Sequence, residues 1–293
     1  MIDLSIIIVS YNTKDFLQKC IESIKNTAKD LAYEIIVVDN ASSDGSPEVV
    51  RKEFKDVLLV SSKENLGFSK ANNLGVKKTN GRYVLFLNAD TIVYPNTLRT
   101  MLDFMDNTKE AGAATCKLVL PSGKIDDASH RGFPTPWNSF SHFSGLSKIF
   151  SKTKLFGGYN LEFMDLNKTH EIDALAGAFM LVRREAGEQV GWWDEDYFFY
   201  GEDLDFCFML KQKGWKIYYV PEVSILHYKG VSGGIKKHSK HITTADNETR
   251  IKSQKERFRA MRLFYEKHYE NKYPKIVTAL VYVGISFKRR LSS

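Results

Sequence analysis

Apolar and polar positions along this chain follow two periods in alternation. LSIIIV, residues 4–9, is an apolar, β-branched run of strand length, and SYNTKDFLQKCIESIKNT after it places Leu17, Ile21 and Ile24 at helical spacing. EIIVVDN predicts a second strand, and ASSDGSPEVVRKEF a helix that Ser46 caps and whose first turn holds Pro47. VLLV predicts a third strand, GFSKANNLGVKKT a helix, RYVLFLN a fourth strand, and PNTLRTMLDFM a helix opened by Pro95. Strands alternating with helices at this spacing imply right-handed crossovers and an α/β fold on a Rossmann-like, mostly parallel sheet flanked by helices. No internal repeat or low-complexity segment interrupts the pattern.

The stretch VLFLNADTIV, Val84 to Val93, breaks the simplest form of that pattern. A run fit for a buried strand stops on Asn88, Ala89 and Asp90 before apolar residues resume. In open parallel sheets ligands bind beyond the C-terminal strand ends, and polar residues gather there in this chain. Strand one ends in Ser10, Tyr11 and Asn12, strand two in Asp39 and Asn40, strand three runs into SSKENLGFSKANN, and strand four ends in Asn88 and Asp90. Asn, Asp and Ser also serve as turn formers and caps, but four strand ends in succession point to a binding edge. A carboxylate there, such as Asp90, can hold a divalent cation against a diphosphate, because hard cations take oxygen ligands.

The later part reads differently. Residues 121–170 hold PSG, HRGFPTPWNSFSHFSGL and FGGYN, with three of the seven prolines, and predict an irregular loop region. WWDEDYFFYGEDLDFCFMLKQKG then crowds Glu202, Asp203 and Asp205 at the start of a helix whose Leu204, Cys207 and Phe208 pack inward. Acids in a first helical turn are favoured by the dipole alone; the aromatic run ahead of them would wall one side of a pocket. From about Ser239 a basic helix follows, NETRIKSQKERFRAMRLFYEKHYE, with a partial stripe of Ile251, Phe258, Met261, Leu263 and Phe264. PKIVTALVYVGISFKRR closes the chain; its 12 apolar-rich residues from Ile276 to Phe287 are too few to span a bilayer, which takes about 20. That segment lies in a membrane interface or docks on the domain.

Composition narrows the classes. With 293 residues, 43% hydrophobic and 26% charged, the chain can bury a large core. Cys20, Cys116 and Cys207 are far apart and in no metal-type spacing, as expected of core thiols in a reducing compartment. The opening MIDLSIIIVS has no cationic lead and no cleavage site, so a cytoplasmic location is the expectation. The net charge of +7 is uneven: from Lys229 onward 16 Lys and Arg face 5 Asp and Glu, which leaves −4 for residues 1–228. The basic end is a solvated helical face or meets an anionic partner, such as a membrane surface, a polyanion or a phosphorylated substrate.

SIIIVSYNT, EIIVVDNASSDGS, ENLGFSKANNLGV, YVLFLNAD, AGAFMLVRR, FFYGEDLDFC and HYKGVS, in this order, resemble the successive motifs of the inverting family 2 glycosyltransferases of the GT-A fold, most closely the rhamnosyltransferase-like branch. The resemblance spans roughly residues 3–232. It implies a glycosyltransferase domain over 1–238, with a nucleotide-sugar half (1–118) and an acceptor half (119–238), and a basic helical extension over 239–293. Asp39 would bond the pyrimidine base of the donor, with Ser10, Asn12 and Asn40 nearby; Asn65, Gly67, Lys70 and Asn88 would shape the sugar and phosphate side. Asp90 and His227 would hold Mg²⁺ or Mn²⁺, with more resting on Asp90 because Asn88 replaces the first acid of the usual Asp-any-Asp. Asp203 would be the general base, with Glu202 and Asp205 orienting the acceptor or the helix. Gly177 belongs to the segment that shapes the acceptor site, while Trp137 and Phe140 would stack on a sugar or pack the long loop.

The implied reaction moves a sugar from dTDP-rhamnose, or from a UDP-hexose as second choice, to a hydroxyl of a saccharide or polyprenyl-linked acceptor in cell-surface polysaccharide synthesis. The enzyme would be cytoplasmic, with the extension either meeting the anionic inner face of the membrane or docking on the domain. A sugar nucleotidyltransferase would carry a Gly-rich, basic phosphate loop after strand one, which SYNTKDF lacks. A non-catalytic polyanion-binding module explains the basic end but not the ordered acids, and no nucleic-acid motif is present.

Overall fold

The computed structural model describes residues 2–235 and 242–292. The boundary expected near residue 238 lies outside them. Leu4–Ser10 (β1), Tyr33–Asp39 (β2), Leu58–Ser61 (β3) and Tyr83–Asn88 (β4) form a parallel sheet in the order β3-β2-β1-β4. These strands read as unbroken apolar runs because both faces are covered. Ile6 and Ile8 point into one core with Leu17, Ile21 and Ile24 of Lys14–Thr27 (α1), Val50 of Ser46–Glu53 (α2) and Met101 and Met105 of Thr97–Asn107 (α4). Ile7 points to the other face, with Ala71 of Phe68–Val76 (α3), Ala186 of Arg184–Val190 (α7) and Phe206 and Leu210 of Glu202–Gln212 (α8). Each such Val, Leu, Ile, Met or Phe side chain, fully buried, contributes about 1.5–3 kcal/mol relative to exposure.

The sheet continues past β4. Phe179–Arg183 (β8) runs antiparallel between β4 and Ala111–Val119 (β6), and Lys216–His227 (β9) lies parallel to β6. Pro221 has no N–H to give the ladder, and the β6–β9 register jumps there, from Cys116↔Val220 to Lys117↔Ser224. The irregularity separates two stretches of β9. His170–Ile172 (β7) pairs with the first and Thr91–Val93 (β5) with the second, both antiparallel. The apolar residues after Asp90 are therefore a short strand of their own, on the far edge of the sheet from β3.

Three local expectations change. Gly45, at a left-handed φ of 86°, sits at the cap position of α2, with Ser46 as its first residue. The helix expected from Pro95 starts at Thr97, after a left-handed Asn96. The region 121–170 contains helices: Pro136–Ser144 (α5), whose cap Thr135 accepts from the Asn138 N–H, and Leu146–Ile149 (α6). At the C-terminal end, Asn247–His268 (α9) and Lys275–Ser292 (α10) pack beside α8 through Phe208, Phe264, Tyr265 and Tyr269, with Val281 and Tyr282 against them. Ile251, expected in the inward stripe of α9, is 55% exposed. All three cysteines are buried thiols, and burial pushes Cys20 and Cys207 up to about 12.

Candidate active site

One continuous cleft of about 1400 Å³ opens along the C-terminal strand ends and runs between α5 on one side and α9 and α10 on the other. Its polar end is assembled by the edge strands. The register Thr91↔His227 sets the residue before β5, Asp90, beside the end of β9, and the Tyr228 N–H donates to the Asp90 carbonyl at 3.0 Å. His227 Nε2 then lies 3.5 Å from Asp90 Oδ1, and both side chains are buried. Two atoms that each bind one ion at about 2.0–2.2 Å stand about this far apart. His227 Nε2 has no hydrogen-bond partner, so the pair fits a divalent cation.

Behind them stands Asp126, a fully buried acid that motif reading passed over. Its carboxylate takes the His227 Nδ1 bond at 3.1 Å, bonds the Lys229 ammonium, and caps the turn at Asp127–Ser129 by accepting from the Ala128 N–H. A carboxylate only accepts, so Nδ1 carries a hydrogen, and in the neutral form of the ring the lone pair of Nε2 would be free to take a cation beside Asp90. Burial alone would lower the His227 pKa, but the Asp90 charge and the Asp126 hydrogen bond outweigh it and lift it to about 9. Those bonds hold Asp126 well below the usual carboxylate range despite its burial. The only sequence signal for Asp126 is an acid pair after the PSG turn.

At the other wall, Gly201 turns left-handed at φ 81° and starts α8, which brings Glu202 and Asp203 to the cleft. Asp203 Oδ2 accepts from Arg131 Nη2 at 2.6 Å, and Oδ1 from the Leu204 N–H at 2.8 Å. Arg131 also donates to the Leu175 carbonyl and is the second residue that motif reading missed. Glu202 is buried with Oε2 unpartnered; burial first, and then the Asp203 charge, push it up to about 8. Asp205 departs from expectation. Two positions along a helix turn about 200°, so it points away from Asp203 and accepts from Tyr197 Oη at 3.1 Å and His268 Nε2 at 2.6 Å. It does not line the cleft; it ties α8 to α9.

The remaining predicted residues divide. Asn40, Asn65, Gly67, Asn88, Trp137, Phe140 and Gly177 line the cleft. Asn40 Nδ2 donates to Asn65 Oδ1 at 2.9 Å and Asn40 Oδ1 accepts from the Leu66 N–H, which welds the loops after β2 and β3. Gly67 is required sterically, since a Cβ there would lie 2.4 Å from the Phe198 carbonyl. Trp137 donates its indole N–H to the Leu155 carbonyl and keeps 45% of its surface exposed. Ser10, Asn12, Asp39 and Lys70 do not line the cleft. Ser10 bonds Thr13, Asn12 accepts from the Ser43 N–H, and Lys70 is exposed on α3. Asp39 lies at the end of β2, accepts from the Ser42 N–H, and keeps a buried Oδ1 without a partner; burial raises its pKa. Buried polar atoms almost always find partners, and the buried atoms without one among the described residues include Asp39 Oδ1, Glu202 Oε2 and His227 Nε2.

Fold and site together define a GT-A glycosyltransferase. The sequence profile of the family described as glycosyl transferase family 2 matches residues 5–191, and the chain belongs to that family. It is 26% identical over 242 residues to the N-acetylglucosaminyl-diphospho-decaprenol L-rhamnosyltransferase of Mycobacterium tuberculosis, covering 79% of this chain and 78% of that one. To the rhamnosyltransferase WbbL of Escherichia coli K12 it is 29% identical over 229 residues, 76% of this chain and 82% of that one. Among solved structures, the mannosyltransferase PcManGT of Pyrobaculum calidifontis, in complex with GDP-Man and Mn²⁺, superposes with a TM-score of 0.59 at 18% identity, over 99% of this chain and 71% of that one.

Proposed function

We propose that this enzyme transfers rhamnose from dTDP-rhamnose, with inversion, to a hydroxyl of a lipid-linked saccharide in cell-surface polysaccharide synthesis. A UDP-hexose is the second choice of donor. The observation that carries the reading is the meeting of the Asp90–His227 pair and Asp203 in one cleft, where Asp90 lies 113 positions before Asp203 and 137 before His227 in the chain. The names of both bacterial relatives support the sugar, and that of the Mycobacterium tuberculosis relative supports the lipid-linked acceptor.

In this reading Asp39 and its unpartnered oxygen receive the N3–H of the pyrimidine, and the loop welded by Asn40 and Asn65 positions the donor. Asp90 and His227 hold Mg²⁺ or Mn²⁺, which supplies charge stabilisation for the departing diphosphate. Lys229, paired to Asp126, borders the same end of the cleft. The acceptor oxygen bonds to the anomeric carbon as the bond from that carbon to the diphosphate breaks; the hydroxyl proton passes to Asp203 and the nucleotide diphosphate leaves. Arg131 holds Asp203 in direction. Trp137 and Gly177 border the acceptor side, and the protein works at the inner face of the membrane, with the basic helices toward it.

The experiment is a panel of nucleotide sugars with mass-spectrometric detection of transfer, run with calorimetry of dTDP and UDP with and without Mn²⁺. Among the described residues no group of three or more His, Cys, Asp or Glu can hold an ion, so two protein ligands should bind it weakly alone and better with nucleotide. Asp90→Ala is expected to abolish the metal enhancement of nucleotide affinity. Equal affinity with and without metal, and full activity in Asp90→Ala, would end the metal assignment.

A further inference from the structure

Beyond the polar end, the cleft changes character. Its outer stretch is walled by Phe140 and Phe143 of α5, Phe264 of α9, and Val281 and Ile285 of α10. Thr278 and Tyr282 of α10 turn toward α9, where Tyr265 Oη bonds Thr278 at 3.0 Å and stands against the Tyr282 ring. Val277, Val281, Gly284 and Lys288, at helical spacing, are among the α10 residues that line the cleft, with Leu280 and Phe287 beside them. Gly284 faces open space, since a Cβ there meets nothing within 4 Å.

Between the two ends stand cations. Lys252 and Arg257 of α9 and Lys288 of α10 all line the cleft, and neither Lys252 nor Arg257 takes part in an ion pair among the described residues. Lys252 Nζ lies 3.7 Å over the ring of Phe198, the residue that braces Gly67 at the polar end, and Lys288 Nζ lies 3.9 Å over Phe143 at the apolar end. Burial and the Arg257 charge lower the Lys288 pKa, so the two cations share one neighbourhood. Asp246 and Glu248 also border this wall, two acids against three positive groups. Positive charge gathered in a partly dry cleft, with no carboxylate paired to two of its three bearers, costs free energy unless an anion joins it.

We infer that this outer stretch binds the isoprenoid diphosphate of the acceptor: Lys252, Arg257 and Lys288 take its diphosphate, and the groove between α5 and α10, floored at Gly284, takes the first isoprene units of its tail. The sequence along the cleft, from sugar-transfer residues through cations to an apolar groove, matches the order saccharide, diphosphate, lipid in one molecule. The inference rests on the reading of a diphosphate-linked acceptor. It assigns the C-terminal helices to substrate recognition and requires two diphosphate sites, one for the donor and one for the acceptor.

The test is binding, so it does not depend on which sugar is transferred. Farnesyl diphosphate is titrated into the full chain saturated with dTDP and Mg²⁺, beside farnesol and inorganic diphosphate. Farnesyl diphosphate is expected to bind at least about tenfold more tightly than either fragment, and without competing with dTDP. Gly284→Trp fills the groove, and Trp exceeds Gly in helix propensity, so it should fold and weaken binding by about tenfold or more. Lys252→Gln with Arg257→Gln should do the same, while Ala279→Trp, exposed and outside the cleft lining, should leave binding unchanged. Displacement by dTDP would place the ligand in the donor site and overturn the inference, as would farnesol binding equally well or Gly284→Trp binding as the wild type does. Absence of transfer with every donor would instead strike the proposed reaction and leave this result to be read by itself.

Discussion

Asp203 and Glu202 are neighbours with opposite electrostatic situations. Asp203 is held by Arg131 at 2.6 Å at the cleft wall, while Glu202 is buried beside it with an unpartnered oxygen and its pKa up at about 8. The ion pair with Arg131 at the cleft wall points to Asp203 as the base. Asp203→Asn is expected to lower the transfer rate about 10²- to 10⁴-fold with nucleotide affinity nearly intact, measured as a split between turnover and dTDP binding. Burial pushes Glu202 toward its protonated form, which Gln resembles, so Glu202→Gln should cost less than about tenfold, below the span of a general base. Abolished transfer in Glu202→Gln, with Asp203→Asn still active, would reverse the two roles. Glu202 also predicts a pH dependence. Its folded pKa of about 8 lies above its ordinary 4.5, so its contribution to stability is complete below about pH 4.5 and is lost as pH rises through about 8. Thermal scans across that window should show the wild type losing stability more steeply than Glu202→Gln.

At the scale of elements, two pairings build the site. The β5–β9 register delivers Asp90 to His227, and the start of α8 delivers Asp203 to Arg131, which an isolated bridge to Ala174 holds in place. The same helix uses its opposite face for Asp205, whose carboxylate meets His268 at 2.6 Å in a buried contact. That bond anchors α9, and with it the wall that carries Lys252 and Arg257. His268→Ala leaves a buried carboxylate with the Tyr197 hydroxyl alone, and a lost hydrogen bond to a charged group is worth about 1.5–3 kcal/mol. Denaturant unfolding should show a loss of that order, and an unchanged midpoint would remove Asp205 as the anchor.

For the whole molecule, the proposed lipid-linked acceptor bears on how the C-terminal helices face their surroundings. No helix among the described residues is long and apolar enough to cross a membrane. Yet Ile276, Leu280, Val283, Phe287 and Leu291 form a continuous stripe on α10, each more than 60% exposed, with Lys275 at one end and Arg289 and Arg290 at the other. An amphipathic helix of this kind lies in the plane of an interface. Each Lys or Arg near an anionic surface adds about 1 kcal/mol. Removal of residues 275–292 is therefore expected to release the protein from phosphatidylglycerol vesicles at low salt in a flotation assay, with dTDP affinity kept. If the full chain ignores such vesicles, α10 serves only as the cleft wall.

The sequence by itself determined the parallel half of the sheet, because strands covered on both faces leave continuous apolar runs and crossover helices leave a 3.6-residue period. It also placed a carboxylate at the end of β4 and acids at the start of α8, since their motifs are local. Only the tertiary structure decided which of those groups meet. Asp126 and Arg131 lie in a Gly- and Pro-rich region with no periodic signal, and their roles arise from contacts 101 and 72 residues away in the chain. Asp205 shares its motif with Asp203, yet helical rotation sends it to His268. The short strand β5 was hidden because three residues carry too little pattern to be read without their partner on β9. The extension likewise reads as a basic helix and an apolar one; that they complete the cleft depends on Phe208 meeting Phe264 and Tyr269, and long-range packing of this kind leaves no local period to read.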